Sequence, residues 1–182
     1  TLVRAVIERS GCSLEDPCPF DPSHFSREIE RFSEVDSPPT LAEVLLNPTR
    51  IYVDPVVDLV LESRREGGIV GPECIKAIAH ITGGGLSNLL RLHDSLGWHV
   101  DCPLEPQPEF EWISEVGSVA PMEMHRTFNM GMGMVIAISE RSAEVAEEWI
   151  GSRLPGSRRV GMVVDNGRLV THSEADVVFS HY

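Results

Sequence analysis

Three consecutive glycines, Gly83, Gly84 and Gly85, stand between two apolar runs in AHITGGGL, Ala79 to Leu86, and they constrain this chain more than any other feature. Glycine loses more conformational freedom on folding than any other residue, so a plain turn rarely needs three in succession. The run before them, IKAIAHI over Ile75 to Ile81, reads as a strand, and LSNLLRL after them reads as a helix. Strand, glycine turn and helix in this order can aim backbone amides at an anion, because no Cβ atoms block the approach. A tight strand-to-helix connection accounts for the same residues equally well.

At 182 residues the chain can hold one full domain, and 42% apolar with 24% charged residues is ordinary globular usage. Charge departs from the average: 28 acidic against 15 basic residues give a formal net charge of −13. Binding of nucleic acid or an anionic membrane through a basic patch starts from an unfavourable field, so a phosphate ligand must be held locally, by amides or a few arginines. No apolar run approaches the roughly 20 residues that span a bilayer, and no secretory signal opens the sequence, so a cytoplasmic location is expected. Cys12, Cys18, Cys74 and Cys102 form no CxxC pair, and the seven histidines show no HExxH spacing, which disfavours a metal site. His99, Asp101 and Cys102 come nearest to a ligand cluster; a solvated strand end explains them more simply.

The rest of the chain alternates short elements. Leu2, Val3, Val6 and Ile7 share a helical face that Gly11 ends, and an acidic surface loop is expected over 21–36. Thr40 and Glu43 have capping-box spacing, RIYV at Arg50 to Val53 is a strand or a loop, and Pro55 opens a helix that stops before Gly67. Trp98 to Asp101 reads as a strand, Phe110 to Val116 and Pro121 to Phe128 as short helices, Met134 to Ser139 as a buried strand, and Ser142 to Ser152 as an amphipathic helix. Asn166-Gly167 between VGMVV and RLVTH predicts a hairpin with a type I′ turn. These elements give a mixed class with helices layered on a sheet.

Outside the glycines, His80 should lie on the opposite strand face from Ile81, where it either points toward the glycine amides or ends the strand as an ordinary hydrogen-bonded histidine. Asn129 in RTFNMGMGM is a turn former unless its amide reaches a pocket. Thr49 and Arg50 follow a helix end, where Arg50 could grip a carboxylate or phosphate in a fork or simply be a surface arginine. No Walker, GxGxxG or Ser-His-Asp pattern is present.

Together LNPTRIYVDP, AHITGGGLSNLLR and MHRTFNMGMGMV closely resemble, in order and spacing, the C-terminal domain of the phosphoribosylformylglycinamidine cyclo-ligases, the aminoimidazole ribonucleotide synthetases. The opening TLVRAVIERSG and closing RRVGMVV resemble the same family, so the likeness covers nearly the whole chain. It implies an α+β fold, helices layered on a central mixed β-sheet, with residues 1–182 as one C-terminal domain. It implies a step of purine biosynthesis in which ATP activates the formyl oxygen of formylglycinamidine ribonucleotide and the amidine nitrogen closes the imidazole ring. On the resemblance, Thr82, Gly83, Gly84 and Gly85 would bind phosphate, His80 and Asn129 would meet the reacting centre, and Thr49 and Arg50 would shape the pocket. ATP and Mg²⁺ would be bound mainly by an N-terminal domain that also builds a homodimer; that domain is expected to be absent from these residues, leaving the chain alone inactive. The alternatives are a non-catalytic or regulatory paralogue of the same fold and a related ATP-dependent phosphotransferase.

Overall fold

A computed structural model describes residues 1–22, 38–173 and 176–182. Most of the expected acidic loop, 23–36, lies outside the described residues. Helix α1, Leu2–Ser10, ends at Gly11, the expected stop, which takes the left-handed conformation with φ 71°. Helix α2, Leu41–Leu45, starts on a complete capping box: Thr40 Oγ1 accepts from Glu43 N at 3.2 Å, and Thr40 N donates to Glu43 Oε2 at 2.7 Å. Helix α3, Val53–Arg64, carries Pro55 in its first turn, where no intrahelical partner for an N–H is lost. The RIYV segment forms no strand; Tyr52 is the residue that leads into α3.

Strand β1, Ile75–His80, pairs antiparallel with β3, Met134–Ile138, as a two-stranded ribbon. A separate four-stranded sheet has the order β4 (Gly161–Val164), β2 (Gly97–Val100), β5 (Val170–His172), β6 (Val177–Phe179). It is mixed, since β2 runs antiparallel to β4 and parallel to β5. The fold is therefore α+β with the strands divided between two sheets. A 3₁₀ helix, Gly85–Arg91, joins them: Leu86, Leu89 and Leu90 are buried in one cluster with Ile81 of the β1 end, Trp98 and Val100 of β2, and Phe179 of β6. Its first turn closes by i to i+3 bonds, Gly85 N to Thr82 O at 2.8 Å and Ser87 N to Gly84 O at 3.1 Å, so the expected helix takes the tighter form.

Two further apolar clusters hold the helices. Helices α1, α2, α4 (Pro108–Gly117) and α5 (Pro121–Thr127) bury Val6, Leu41, Trp112, Ile113 and Met124 together. Helices α3 and α6 (Ala143–Gly151) close over the ribbon through Leu59, Ala146 and Trp149 against Ile75, Ile136 and Ile138. Strand β3, expected as buried, is only half covered apart from Ala137, because a two-stranded ribbon has few neighbours to cover it.

The predicted hairpin does not form. β2 lies between β4 and β5, and Asn166-Gly167 carries the chain around its end. Gly97 lets this happen: a Cβ there would overlap Asn166 Oδ1 and Leu169 O, while Trp98 N donates to Leu169 O at 2.8 Å. Positive φ falls on Gly167 and Arg168, not on Asn166, whose side-chain oxygen accepts from Leu169 N at 3.0 Å. Turn chemistry announced a change of direction, but strand partnership was decided by tertiary packing.

Glu109, in the first turn of α4, has its Oε2 buried without a hydrogen-bond partner among the described residues. Burial pushes its pKa up to about 7, against the pull of a bond from its own backbone. A carboxyl raised in the folded state contributes no penalty below the unfolded value near 4.5 and destabilises as pH rises toward 7. Glu109→Gln is therefore expected to stabilise the fold at pH 8 by about 1–2 kcal/mol and to leave it unchanged at pH 4. Urea unfolding of both proteins at the two pH values checks this; equal gains at both would refute the ionisation argument.

Candidate functional site

The site is built where the ribbon ends. β1 pairs with β3 through His80 and Met134, and Ile81 N continues the ladder to Gly133 O at 2.9 Å. His80 is exposed while Ile81 is 2% exposed, so the alternation places them on opposite faces as expected. Tyr52 stands edge-on to the His80 ring at 5.9 Å. Its hydroxyl occupies the space a Cβ at Gly133 would need, so Gly133 is the glycine that admits it.

The three loop glycines divide their duties. Gly85 is buried with φ 53°, and a Cβ there would overlap the His125 carbonyl oxygen and come within 2.8 Å of Phe128 O. Gly85 thus receives the C-terminal end of α5, which joins the glycine loop to the RTFNMG segment. Gly84 has φ 97°, with the Tyr182 ring 2.9 Å from where its Cβ would lie. Gly83 faces open space, with nothing within 4 Å of a Cβ. Thr82 and Gly83 are exposed.

Asn88 holds this loop. Its side chain is 4% exposed, and Nδ2 donates to Gly85 O at 2.7 Å, Gly83 O at 3.2 Å and, at 3.4 Å, Thr82 O. Ser87 Oγ adds a bond to Gly84 O at 2.7 Å. With the carbonyls of Thr82 to Gly85 turned toward Asn88 and Ser87, the amides of Gly83 and Gly84 take no part in these bonds. Successive amides in a glycine loop can form a concavity suited to an anion.

Asn129 makes a turn: its Oδ1 accepts from Gly131 N at 3.0 Å, and Met132 N donates to Asn129 O at 3.0 Å. Met130 and Gly131 both take positive φ, 48° and 90°. Thr49 is exposed, and Arg50 donates through Nη1 to Pro155 O at 2.9 Å, beyond α6. The structure therefore brings together His80, Thr82 to Gly85 and the Asn129 turn, and adds Tyr52, while the Arg50 side chain is directed to the Pro155 carbonyl. Tyr52 and Asn88 escaped the sequence reading. The signal for Asn88 was a Ser-Asn pair inside an otherwise apolar LSNLLRL; for Tyr52 it was one of only two tyrosines, set in the RIYV run.

Among the described residues no group of three or more His, Cys, Asp or Glu side chains could hold a metal ion. His99 Nδ1 instead bonds Thr171 Oγ1 at 2.8 Å, Asp101 pairs with Arg159, and Cys102 Sγ meets Arg158 Nη1 at 3.1 Å. All four cysteines are free thiols. No helix among the described residues is long and apolar enough to cross a membrane.

Residues 25–173 match the family described as AIR synthase related protein, C-terminal domain. The phosphoribosylformylglycinamidine cyclo-ligase of Methanosarcina acetivorans is 38% identical over 167 residues, 92% of this chain and 40% of that protein. The enzyme of the same name from Methanopyrus kandleri is 39% identical over 151 residues, 83% of this chain and 41% of its own length. The chain thus spans about two fifths of the curated relatives it matches. With a glycine loop braced by Asn88, an RTFNMG turn docked on Gly85, and a family match over most of its length, the chain belongs to the AIR synthase related C-terminal domain family.

Proposed function

We propose that this chain works as the C-terminal domain of an ATP-dependent cyclo-ligase, the activity by which its relatives are named. The observation that carries this reading is the meeting of His80, the glycine loop and the Asn129 turn at one end of the β1–β3 ribbon, joined through Gly85. In the reaction, the formyl oxygen of formylglycinamidine ribonucleotide takes the γ-phosphoryl group of ATP, releasing ADP. The amidine nitrogen then attacks the activated carbon, and phosphate leaves with that oxygen as the imidazole ring closes, giving aminoimidazole ribonucleotide.

Such chemistry depends on position and on stabilising phosphoryl charge more than on a covalent nucleophile. The Gly83 and Gly84 amides would donate to phosphoryl oxygens, with Thr82 beside them. His80, at an exposed strand end braced by Tyr52, would hold a polar contact with the reacting amide. Asn129 would present its amide nitrogen to substrate while its oxygen keeps the turn. Thr49 and Arg50 would act from the rim, Arg50 by anchoring the segment that delivers Tyr52. Mg²⁺ would neutralise ATP phosphates when bound, but the described residues do not fit a metal site, so it and much of the ATP would be held by other parts of a full-length, homodimeric enzyme. A cytoplasmic setting suits this chemistry.

Turnover tests the reading. Full-length protein containing this segment, given ATP, Mg²⁺ and formylglycinamidine ribonucleotide, is expected to form aminoimidazole ribonucleotide, identified by mass. Folded protein that binds ATP yet forms none would contradict it.

A further inference from the structure

A half-open cavity of about 400 Å³ lies between the 103–106 segment, α5 and β5, and none of the loop glycines lines it. Pro103, Leu104, Pro106 and Met130 supply apolar walls. That volume is the scale of a small-molecule site rather than of a peptide groove.

Its polar groups are few and well defined. The His125 ring is 8% exposed and lies 4.8 Å from the His172 ring, tilted by 54°. Nδ1 of His125 is buried with no hydrogen-bond partner among the described residues, an unusual state for a polar atom. Burial, with the neighbouring His172 charge second, holds the His125 pKa down to about 4, so near neutral pH the ring is an uncharged, polar, flat surface. Arg158 lines the same cavity, its guanidinium fixed by bonds to Cys102 Sγ and Pro103 O. In a chain of net charge −13, an arginine held in place at a cavity is a local attractor for an anion. Glu105 lines the cavity and is exposed, where its carboxylate can accept from a ring N–H.

We propose that this cavity binds a flat heteroaromatic ring carrying one anionic group, the ring against the two imidazoles and Met130 and the anionic group at Arg158. Ring faces and a thioether favour a flat aromatic partner over an aliphatic one. A fixed guanidinium favours a planar or tetrahedral oxyanion. The proposal goes beyond the ligase reading and stands or falls separately, because its readout is at two histidines and not in turnover.

The test uses the full chain and the imidazole C–H resonances of His125 and His172. Indole-3-carboxylate is the probe, with indole as the ring alone and acetate as the anion alone. Saturable shifts at both histidines are expected with indole-3-carboxylate, binding roughly tenfold weaker with indole, and no shift with acetate. Arg158→Ala should bring indole-3-carboxylate down to the affinity of indole and leave indole unchanged; Arg158→Gln, which keeps the bulk and a donor, guards against loss of folding. Absence of saturable shifts up to about 10 mM indole-3-carboxylate, or equal affinity in both arginine variants and the parent, overturns the proposal.

Discussion

Gly85→Ala is expected to destabilise the domain by about 3 kcal/mol or more, enough to prevent folding of a marginal protein. Two independent effects add at this position. A methyl group would overlap the His125 carbonyl oxygen and press on Phe128 O, both backbone atoms that cannot rotate away, and the backbone is already at φ 53°. Relief would require α5 to withdraw from the glycine loop, exposing Leu86 and Leu90 of the main core. Gly83→Ala is the matched control: nothing lies within 4 Å of its Cβ, so stability should change by less than about 0.5 kcal/mol. Urea unfolding midpoints separate the two, and similar losses at both positions would mean that Gly85 is not the packing glycine.

Asn88→Asp should cost about 3 kcal/mol, because the new side chain is almost isosteric yet turns a donor into a charged acceptor facing the Thr82, Gly83 and Gly85 carbonyls. Repulsion there should release the loop, so the amides of Gly85 and Ser87, bonded to Thr82 O and Gly84 O, should exchange faster with solvent while those of β2 remain protected. A purely structural Asn88 would lower stability everywhere together. A loop-positioning Asn88 instead loosens the loop below the global unfolding free energy, and on the proposed function its replacement would weaken phosphoryl contact even at temperatures where the fold persists. Asn88→Asp with unchanged loop exchange would show that the three bonds do not hold the loop.

Much of this architecture was legible from local chemistry. The Thr40 and Glu43 capping box, the Gly11 stop, the IKAIAH strand and the short helices α4 and α5, the second led by Pro121, follow from rules that act within a few residues. Long-range choices were not legible. Asn166-Gly167 announced a turn, but Gly97 decided that β2 would enter between β4 and β5. Strand β6, only three residues long, gave no period to read, and it forms because Val177 and Phe179 find the core. At the site, the glycines drew attention for the right region and for only part of the right reason. One of them serves packing, one faces solvent, and the residue that braces two of them lies three positions beyond the last, inside what reads as an ordinary apolar helix.

Of the residues named from sequence, His80, the glycine loop and Asn129 share one end of the ribbon, whereas Arg50 turns to the Pro155 carbonyl. Its backbone still leads directly to Tyr52, which stands beside His80 and Gly133. A motif can belong to a site through the side chain it delivers two residues later.

ADP release tests the proposed ATP-dependent ring closure most directly. Full-length protein containing this segment should release ADP from ATP and Mg²⁺ in step with added formylglycinamidine ribonucleotide, and only slowly without it. ADP release that ignores that ribonucleotide, from protein shown to be folded, would contradict the claim and assign the glycine loop to another ligand.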